Sequence, residues 1–344
     1  MNNKVIFFSI DRLGDYLIRS NVIKQISEKF EYSEIVCSEK NYQLISSQPF
    51  FSKVVLFNNK FKFLNKLKFI LLYILDKYDA CIVFDGKNIS TLLLFFIRSD
   101  YKFVFIYKKK GFINFIFRKS MIFFLKLFKI KYTYLYSRKL IEEKNYDKYP
   151  NKYKSLNKHF GNTNNDTYYL DDINNNRYNH LYEKYIIIHL DEKFIDIKNI
   201  KTHFNDSLIK LQNNTGKLIF LTSFKNNFDY YHELRFKKVD YTKLEDKEYI
   251  HSSISIIEDL PLMHFQNLIK NSYLNISCHS GYFVHTSLAL KKNTIDIINE
   301  SDEIWLNTWI QKSNNYKIVY KSLIKSEIDV NNILKALKNE INKK

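Results

Sequence analysis

The sequence predicts an α/β protein of two domains, each built on a parallel sheet. Short β-branched and aromatic runs alternate with longer helical patterns through both halves of the chain, which is the signature of repeated β-α-β units. The 344 residues exceed the roughly 250–300 that one hydrophobic core organises. A polar stretch over 145–183 separates the halves, and its runs Asn162-Thr163-Asn164-Asn165-Asp166 and Asn174-Asn175-Asn176 are turn chemistry. The expected division is an N-terminal domain over 1–160, a linker over 161–183 and a C-terminal domain over 184–344.

In the first half, residues 5–10 read as a strand and 15–30 as a helix, followed by strands at 34–37 and 53–57 around a helix near 39–47. A helix over 61–77, a strand at 80–84, a helix at 88–97, a strand at 102–107 and a Phe-rich helical pattern over 111–128 complete it. Alternation resumes with a strand at 185–190, a helix at 204–212 and strands at 217–222 and 253–257. Pro261 suits the first turn of a helix reaching Asn271. A strand at 273–277, a helix at 282–290, a strand at 294–298 and a final helix at 329–342 follow.

With 45% hydrophobic residues the chain is not of the disordered class, and with 6 Gly and 3 Pro it is neither collagenous nor linker-like. The net charge is +18. Nearly all of it lies in residues 60–158, which hold 23 Lys/Arg against 7 Asp/Glu, a net of +16. Such a block is a surface for an anionic partner. No RRM, KH, zinc-finger or clear helix-turn-helix signature supports nucleic acid as that partner. The segment 111–131, GFINFIFRKSMIFFLKLFKIK, mixes large apolar side chains with cations. It suits a helix lying in a membrane interface, or one packed on the sheet by its Phe face with Lys outward. The apolar runs fall short of the ~20 residues that span a bilayer. Cys37, Cys81 and Cys278 lie in or beside apolar runs without CxxC spacing, which predicts buried free thiols. The N-terminus has no cleavage-site pattern, and the expected location is the cytoplasm.

Three segments carry candidate chemistry. The turn after the first strand reads Arg12-Leu13-Gly14-Asp15. Gly14 allows close backbone approach, and Asp15 opens a helix whose positive end favours a carboxylate. Asp15 can serve as a general base or simply as a helix cap. The second segment is Cys278-His279-Ser280-Gly281, with His285 one turn further on. Ser280 and Gly281 can offer a hydroxyl and N–H groups to a phosphate at a helix start, with His285 near the same ligand or serving the fold alone. The spacing of Cys278, His279 and His285 fits no usual zinc site, so no metal is expected. The third is Lys193, just past the first strand of the second domain, as a phosphate ligand or part of an ordinary charged loop.

Residues 5–30, VIFFSIDRLGDYLIRSNVIKQISEKF, resemble the opening of the family 9 glycosyltransferases, typified by bacterial heptosyltransferases, with Arg12-Leu13-Gly14-Asp15 at the places of that family's turn. Residues 78–85, YDACIVFD, resemble its fourth strand, and 268–277, LIKNSYLNIS, its helix–strand unit before the donor motif. Ser280-Gly281 with His285-Thr286-Ser287-Leu288-Ala289-Leu290 resembles the Ser-Gly…His-Leu-Ala pattern that follows. The resemblance implies a GT-B fold, two Rossmann-like domains facing across a cleft. It implies an inverting, metal-independent transfer from a nucleotide-sugar bound by the C-terminal domain to a glycan or lipid-linked acceptor bound by the N-terminal one. No cofactor is implied beyond that co-substrate. Asp15 matches the proposed base, Arg12 and Gly14 lie on the acceptor side, and Lys193, Ser280, Gly281 and His285 are the candidates for the donor. The chain departs from the pattern in three ways. His279 stands where the family has Asp, the Gly-to-His spacing is one residue longer, and no Lys/Arg-Trp-Pro segment is recognisable near 193–204. An altered donor pocket is therefore expected. The competing expectation is a non-catalytic GT-B-like module that docks on anionic membrane or glycan. The transferase reading places the chain at the inner face of the cytoplasmic membrane, with the 60–158 block as its anionic-membrane contact.

Overall fold

The computed structural model describes residues 3–57, 71, 73, 75–86, 88–108, 112–136, 141, 153–162, 168–171, 177–190, 200–223, 236–247, 252–258, 260–310 and 313–323. Lys193, most of the expected helix over 61–77 and the whole of the one over 329–342 lie outside the described residues. The chain divides into two compact units, Met1–Asp171 with Ile304–Ile310, and Asp172–Glu303 with Gln311–Lys344.

The first unit opens with strand β1 (Lys4–Ser9), helix α1 (Leu13–Ser27), β2 (Tyr32–Cys37), α2 (Glu39–Ser46) and β3 (Lys53–Leu56). It continues with β4 (Lys77–Val83), α3 (Asn88–Phe96), β5 (Arg98–Lys108), α4 (Phe112–Leu127), β6 (Lys131–Tyr136) and α5 (Lys154–Phe160). The sheet is parallel in the order β3-β2-β1-β4-β5-β6. β1 is central, so its residues are covered on both faces, and its sequence is a continuous apolar run rather than an alternating one. Ile6 and Phe8 join Val36, Val83, Val104 and Ile106 in a core closed by Leu93 and Leu94 of α3 and Leu125 of α4. On the opposite face Phe7 meets Phe51 and Phe84. From the expected linker, Tyr168 and Tyr169 belong to this unit. The Tyr168 hydroxyl donates to the Trp309 carbonyl at 2.6 Å, and the Tyr169 N–H to Ser20 Oγ at 2.8 Å.

The second unit carries β7 (Tyr185–His189), α6 (Ile200–Thr215), β8 (Leu218–Thr222), β9 (Lys237–Asp240), β10 (Ile254–Glu258) and α7 (Leu262–Asn271). These are followed by β11 (Leu274–Ser277), α8 (Gly281–Ala289), β12 (Thr294–Ile298) and β13 (Tyr316–Tyr320). In chain order α9 (Glu303–Asn307) comes between the last two strands, but from Ile304 onward its residues belong to the first unit. This sheet is also parallel, in the order β13-β12-β11-β7-β8-β10-β9. Ile186 and Ile188 pack with Leu208 and Leu211 of α6. His189 faces the other side, with its ring 5.1 Å from Phe265 of α7 and stacked on Phe283 of α8 at 5.0 Å. The three cysteines are free and buried.

Both sheets reverse their strand order once. The first grows from β1 out to β3, then returns to place β4 on the other side of β1. The second grows from β7 through β8 and β10, then places β11 on the other side of β7. In open α/β sheets such reversals, at the carboxyl ends of the strands, are where ligands bind.

Candidate functional site

The sequence-predicted residues that are described, Arg12, Gly14, Asp15, Ser280, Gly281 and His285, fall on these two reversals. In the first unit, Arg12 is the extended residue before α1, at φ −89° and ψ 162°, and Asp15 lies one turn in. The Asp15 carboxylate accepts the Arg12 N–H at a long 3.4 Å. Arg12 is exposed and Gly14 and Asp15 are half-buried.

Around this turn is a cluster that the motif reading did not single out. Asp11 Oδ2 lies 2.7 Å from Arg19 Nη1, and their side chains are 9% and 5% exposed. Ser9 Oγ donates to Asp11 Oδ1 at 3.0 Å. Asp85, at the end of β4, accepts the Ile10 N–H at 2.9 Å and the Ser90 hydroxyl at 2.7 Å, which ties the ends of β1 and β4 together. Burial pushes the Asp11 carboxyl up to about 6. The Arg19 cation opposes this, while the charges of Asp15 and Asp85 add to it. The Arg19 guanidinium also lies over the Phe84 ring at 5.8 Å. Burial, aided by the same three carboxylates and opposed by the Arg19 cation, pushes the Tyr107 hydroxyl up to about 12. The signal in the sequence was a pair of acids, Asp11 and Asp85, directly after apolar strands, where a carboxylate is costly unless partnered.

In the second unit, β11 ends at Ser277 and the chain turns through Cys278 and His279 into α8. His279 has φ +54°, a left-handed conformation uncommon for a side-chain-bearing residue. What holds it is Asp296 of β12, fully buried and in register with Ser277. Asp296 Oδ1 accepts the His279 N–H at 2.8 Å, and Oδ2 pairs with the ring Nδ1 at 2.7 Å and accepts the Tyr316 hydroxyl at 2.9 Å. A carboxylate only accepts, so Nδ1 is the protonated nitrogen of that ring. Asp296 interrupts an apolar strand, TIDII, and could have been found by that signal.

Ser280 caps α8 with extended backbone and makes no side-chain capping bond. The first intrahelical bond is Val284 N–H to the Ser280 carbonyl at 2.9 Å, so the N–H groups of Gly281, Tyr282 and Phe283 have no acceptor within the helix. A Cβ on Gly281 would meet nothing within 4 Å, leaving room for a ligand against the backbone. The helix start can therefore receive an anion. His285 lies one turn inside α8 and is only 4% exposed, whereas the His279 side chain keeps 18%. His189, at the end of β7, pairs through Nδ1 with Thr222 Oγ1 at 3.0 Å. Burial holds it down to about 3, so it is a neutral packing residue. Among the described residues, no group of three His, Cys, Asp or Glu is placed to hold a metal ion.

No family model matches the sequence, and no curated protein matches it. Solved structures do match. A family 9 glycosyl transferase from Veillonella parvula DSM 2008 is similar at 13% identity and TM-score 0.64, over 98% of this chain and 90% of that one. The E. coli ADP-heptose lipopolysaccharide heptosyltransferase II is similar at 12% identity and TM-score 0.66, over 98% of each chain. A UDP-GlcNAc 2-epimerase from Methanocaldococcus jannaschii is similar at 12% identity and TM-score 0.52, over 96% of this chain and 91% of that one. The fold is thus of the GT-B kind, as the motif order implied.

Proposed function

We propose that the chain is an inverting glycosyltransferase that moves a sugar from a nucleotide-sugar to a hydroxyl of a cell-surface glycan or lipid-linked acceptor, in lipopolysaccharide or polysaccharide synthesis in the cytoplasm. One observation carries the reading. Each sheet presents one half of the needed chemistry at its own strand-order reversal, a carboxylate at the start of α1 and an open helix start with a fixed imidazole at α8. The full-length likeness to the glycosyl transferase from Veillonella parvula and to heptosyltransferase II supports it.

In this reading Asp15 takes the proton of the acceptor hydroxyl as its oxygen attacks the anomeric carbon. The new carbon–oxygen bond forms opposite the breaking bond to the diphosphate, which leaves with the electron pair. Arg12 sets the acceptor or the Asp15 carboxylate. The N–H groups at Gly281 and Tyr282, the Ser280 hydroxyl and the His279 ring receive the charge developing on the leaving diphosphate. Preorganised donors of this kind are worth about 3 kcal/mol each in a desolvated site. Lys193 and His285 remain proposed members of the donor side. The protein's own groups carry this charge, so turnover is expected to be unchanged by EDTA.

The test is a panel of ADP-, UDP- and GDP-sugars in thermal shift, followed by assay of the stabilising donor with and without acceptor glycans. Release of nucleoside diphosphate that requires acceptor supports transfer. The UDP-GlcNAc 2-epimerase relative favours a second reading, and acceptor-independent change of the sugar itself would replace transfer by epimerisation. Absence of any stabilising nucleotide-sugar would favour a non-catalytic module.

A further inference from the structure

A helix packed on a sheet normally turns its apolar side inward and its charges to water. α4 does not. Leu125 is fully buried and Met121 and Ile122 pack beside it on the core. The opposite side is apolar as well. Ile116, Phe123 and Leu127 are 49%, 64% and 64% exposed. At 3.6 residues per turn these three fall within roughly 40° of one another and about 180° from Leu125. Phe115 and Phe124 flank them, also exposed. Beyond the helix end, Phe128 is exposed and meets Phe95 of α3 edge-on at 5.3 Å, and α3 exposes Leu92 and Phe96. A contiguous apolar surface of this kind marks an interaction site.

The charges around it select the partner. Residues 102–141 contain eleven Lys or Arg and no Asp or Glu. On α4 itself, exposed Lys119 and Lys126 border the apolar stripe, and Lys119 and Arg118 lie over the Phe115 ring at 4.6 and 5.6 Å. A second copy of the chain would bring an identical set of cations against this one. An anionic surface would neutralise them. Spanning is not the mode, because 16 residues make a helix of about 24 Å against a hydrocarbon core of ~30 Å. Nor is any helix among the described residues long and apolar enough to cross a membrane.

We infer that the outward face of α4 is a membrane-docking surface, lying in the interface of an anionic lipid bilayer with Ile116, Phe123 and Leu127 inserted and Lys119 and Lys126 among the headgroups. This is the interfacial mode of amphipathic helices, in which apolar burial and attraction to anionic lipid act together. It narrows the basic block to one helix face, and it stands independently of glycosyl transfer, because binding is measured without nucleotide or acceptor.

The test is co-sedimentation of the full chain with vesicles of phosphatidylcholine mixed with phosphatidylglycerol, against vesicles of phosphatidylcholine alone. Preferential, salt-weakened binding to the anionic vesicles is expected. The triple substitution Ile116→Gln, Phe123→Gln, Leu127→Gln should weaken it at least about tenfold. The pair Lys119→Glu, Lys126→Glu should do the same. All five positions are exposed, and an unchanged melting temperature confirms that the variants fold. Phe123→Trp gives a reading that depends on no loss, since its emission should shift to the blue when anionic vesicles are added. Equal binding to both vesicle types, a triple variant that binds as the wild type does, or a solution dimer that the triple variant dissociates would each overturn the inference.

Discussion

Asp296 holds His279 by two bonds, one to the backbone N–H at 2.8 Å and one to ring Nδ1 at 2.7 Å, and Tyr316 supplies a third donor to the same carboxylate. The carboxylate thereby fixes a left-handed backbone, a ring orientation and a tautomer at once. Asp296→Asn replaces one acceptor oxygen with an NH2 group facing a donor. It should cost about 1–3 kcal/mol in a urea melt. His279→Asn separates backbone from ring, because Asn accepts positive φ more readily than most residues. That variant should fold, yet bind the stabilising nucleotide-sugar about tenfold more weakly, a loss of one polar contact. Unchanged affinity by calorimetry would remove the His279 ring from the donor side.

Asp15 makes only a long bond to the Arg12 N–H, so little of its carboxylate is committed to the fold. Asp15→Asn should lower turnover by about 10²–10⁴-fold, the usual worth of a general base, while the donor's dissociation constant and the melting temperature change little. A variant with wild-type turnover would return Asp15 to the plain capping role.

Gly86 follows Asp85 with φ +61°, and a Cβ there would stand 2.8 Å from Tyr107 Cδ2 and 2.9 Å from the Phe105 carbonyl oxygen. The second neighbour is backbone and cannot swing aside. Gly86→Ala should therefore cost about 2–4 kcal/mol, combining left-handed strain with overpacking. Gly216 has almost the same φ, +62°, with nothing within 4 Å. Gly216→Ala should cost only the strain, about 1–2 kcal/mol. Similar losses at the two positions in denaturant melts would mean that the crowding at Gly86 is relieved by movement of β5.

The legible parts of the sequence were those covered on two sides. β1, β4 and β7 are central strands, and their apolar runs can be read without knowing the neighbours. β6, β9 and β13 were missed. They are edge strands, KYTYLY, KKVD and YKIVY, mostly half-buried or exposed, so their composition reports solvent as much as sheet. The site divided in the same way. Arg12, Gly14, Asp15, Ser280 and Gly281 are contiguous with turns that sequence order identifies. Asp11 with Arg19, Asp85 with Ile10 and Asp296 with His279 are contacts that only folding creates, and a lone acid in an apolar run does not name its partner. The Phe-rich helix was ambiguous because both its faces are apolar, and periodicity cannot say which one meets the sheet.

Asp11 gives a pH signature. Its carboxyl is raised from 3.8 to about 6 in the fold, mainly by burial. Below 3.8 it is protonated in both states and contributes nothing. As pH rises from about 4 to about 6, the unfolded chain loses the proton first, so the folded state binds more protons and stability falls. Above about 6 the penalty is constant, on the order of 3 kcal/mol. Asp11→Asn removes this titration but leaves Arg19 without its 2.7 Å partner, which shifts stability at all pH values. The comparison that isolates Asp11 is the difference between the two proteins across pH. Urea melts at pH 4, 5, 6 and 7 should show the variant gaining on the wild type by about 2 kcal/mol over that range, with most of the gain before pH 6. A constant difference would show that Arg19 already holds Asp11 ionised at pH 4, and that the buried pair outweighs the desolvation of its carboxylate.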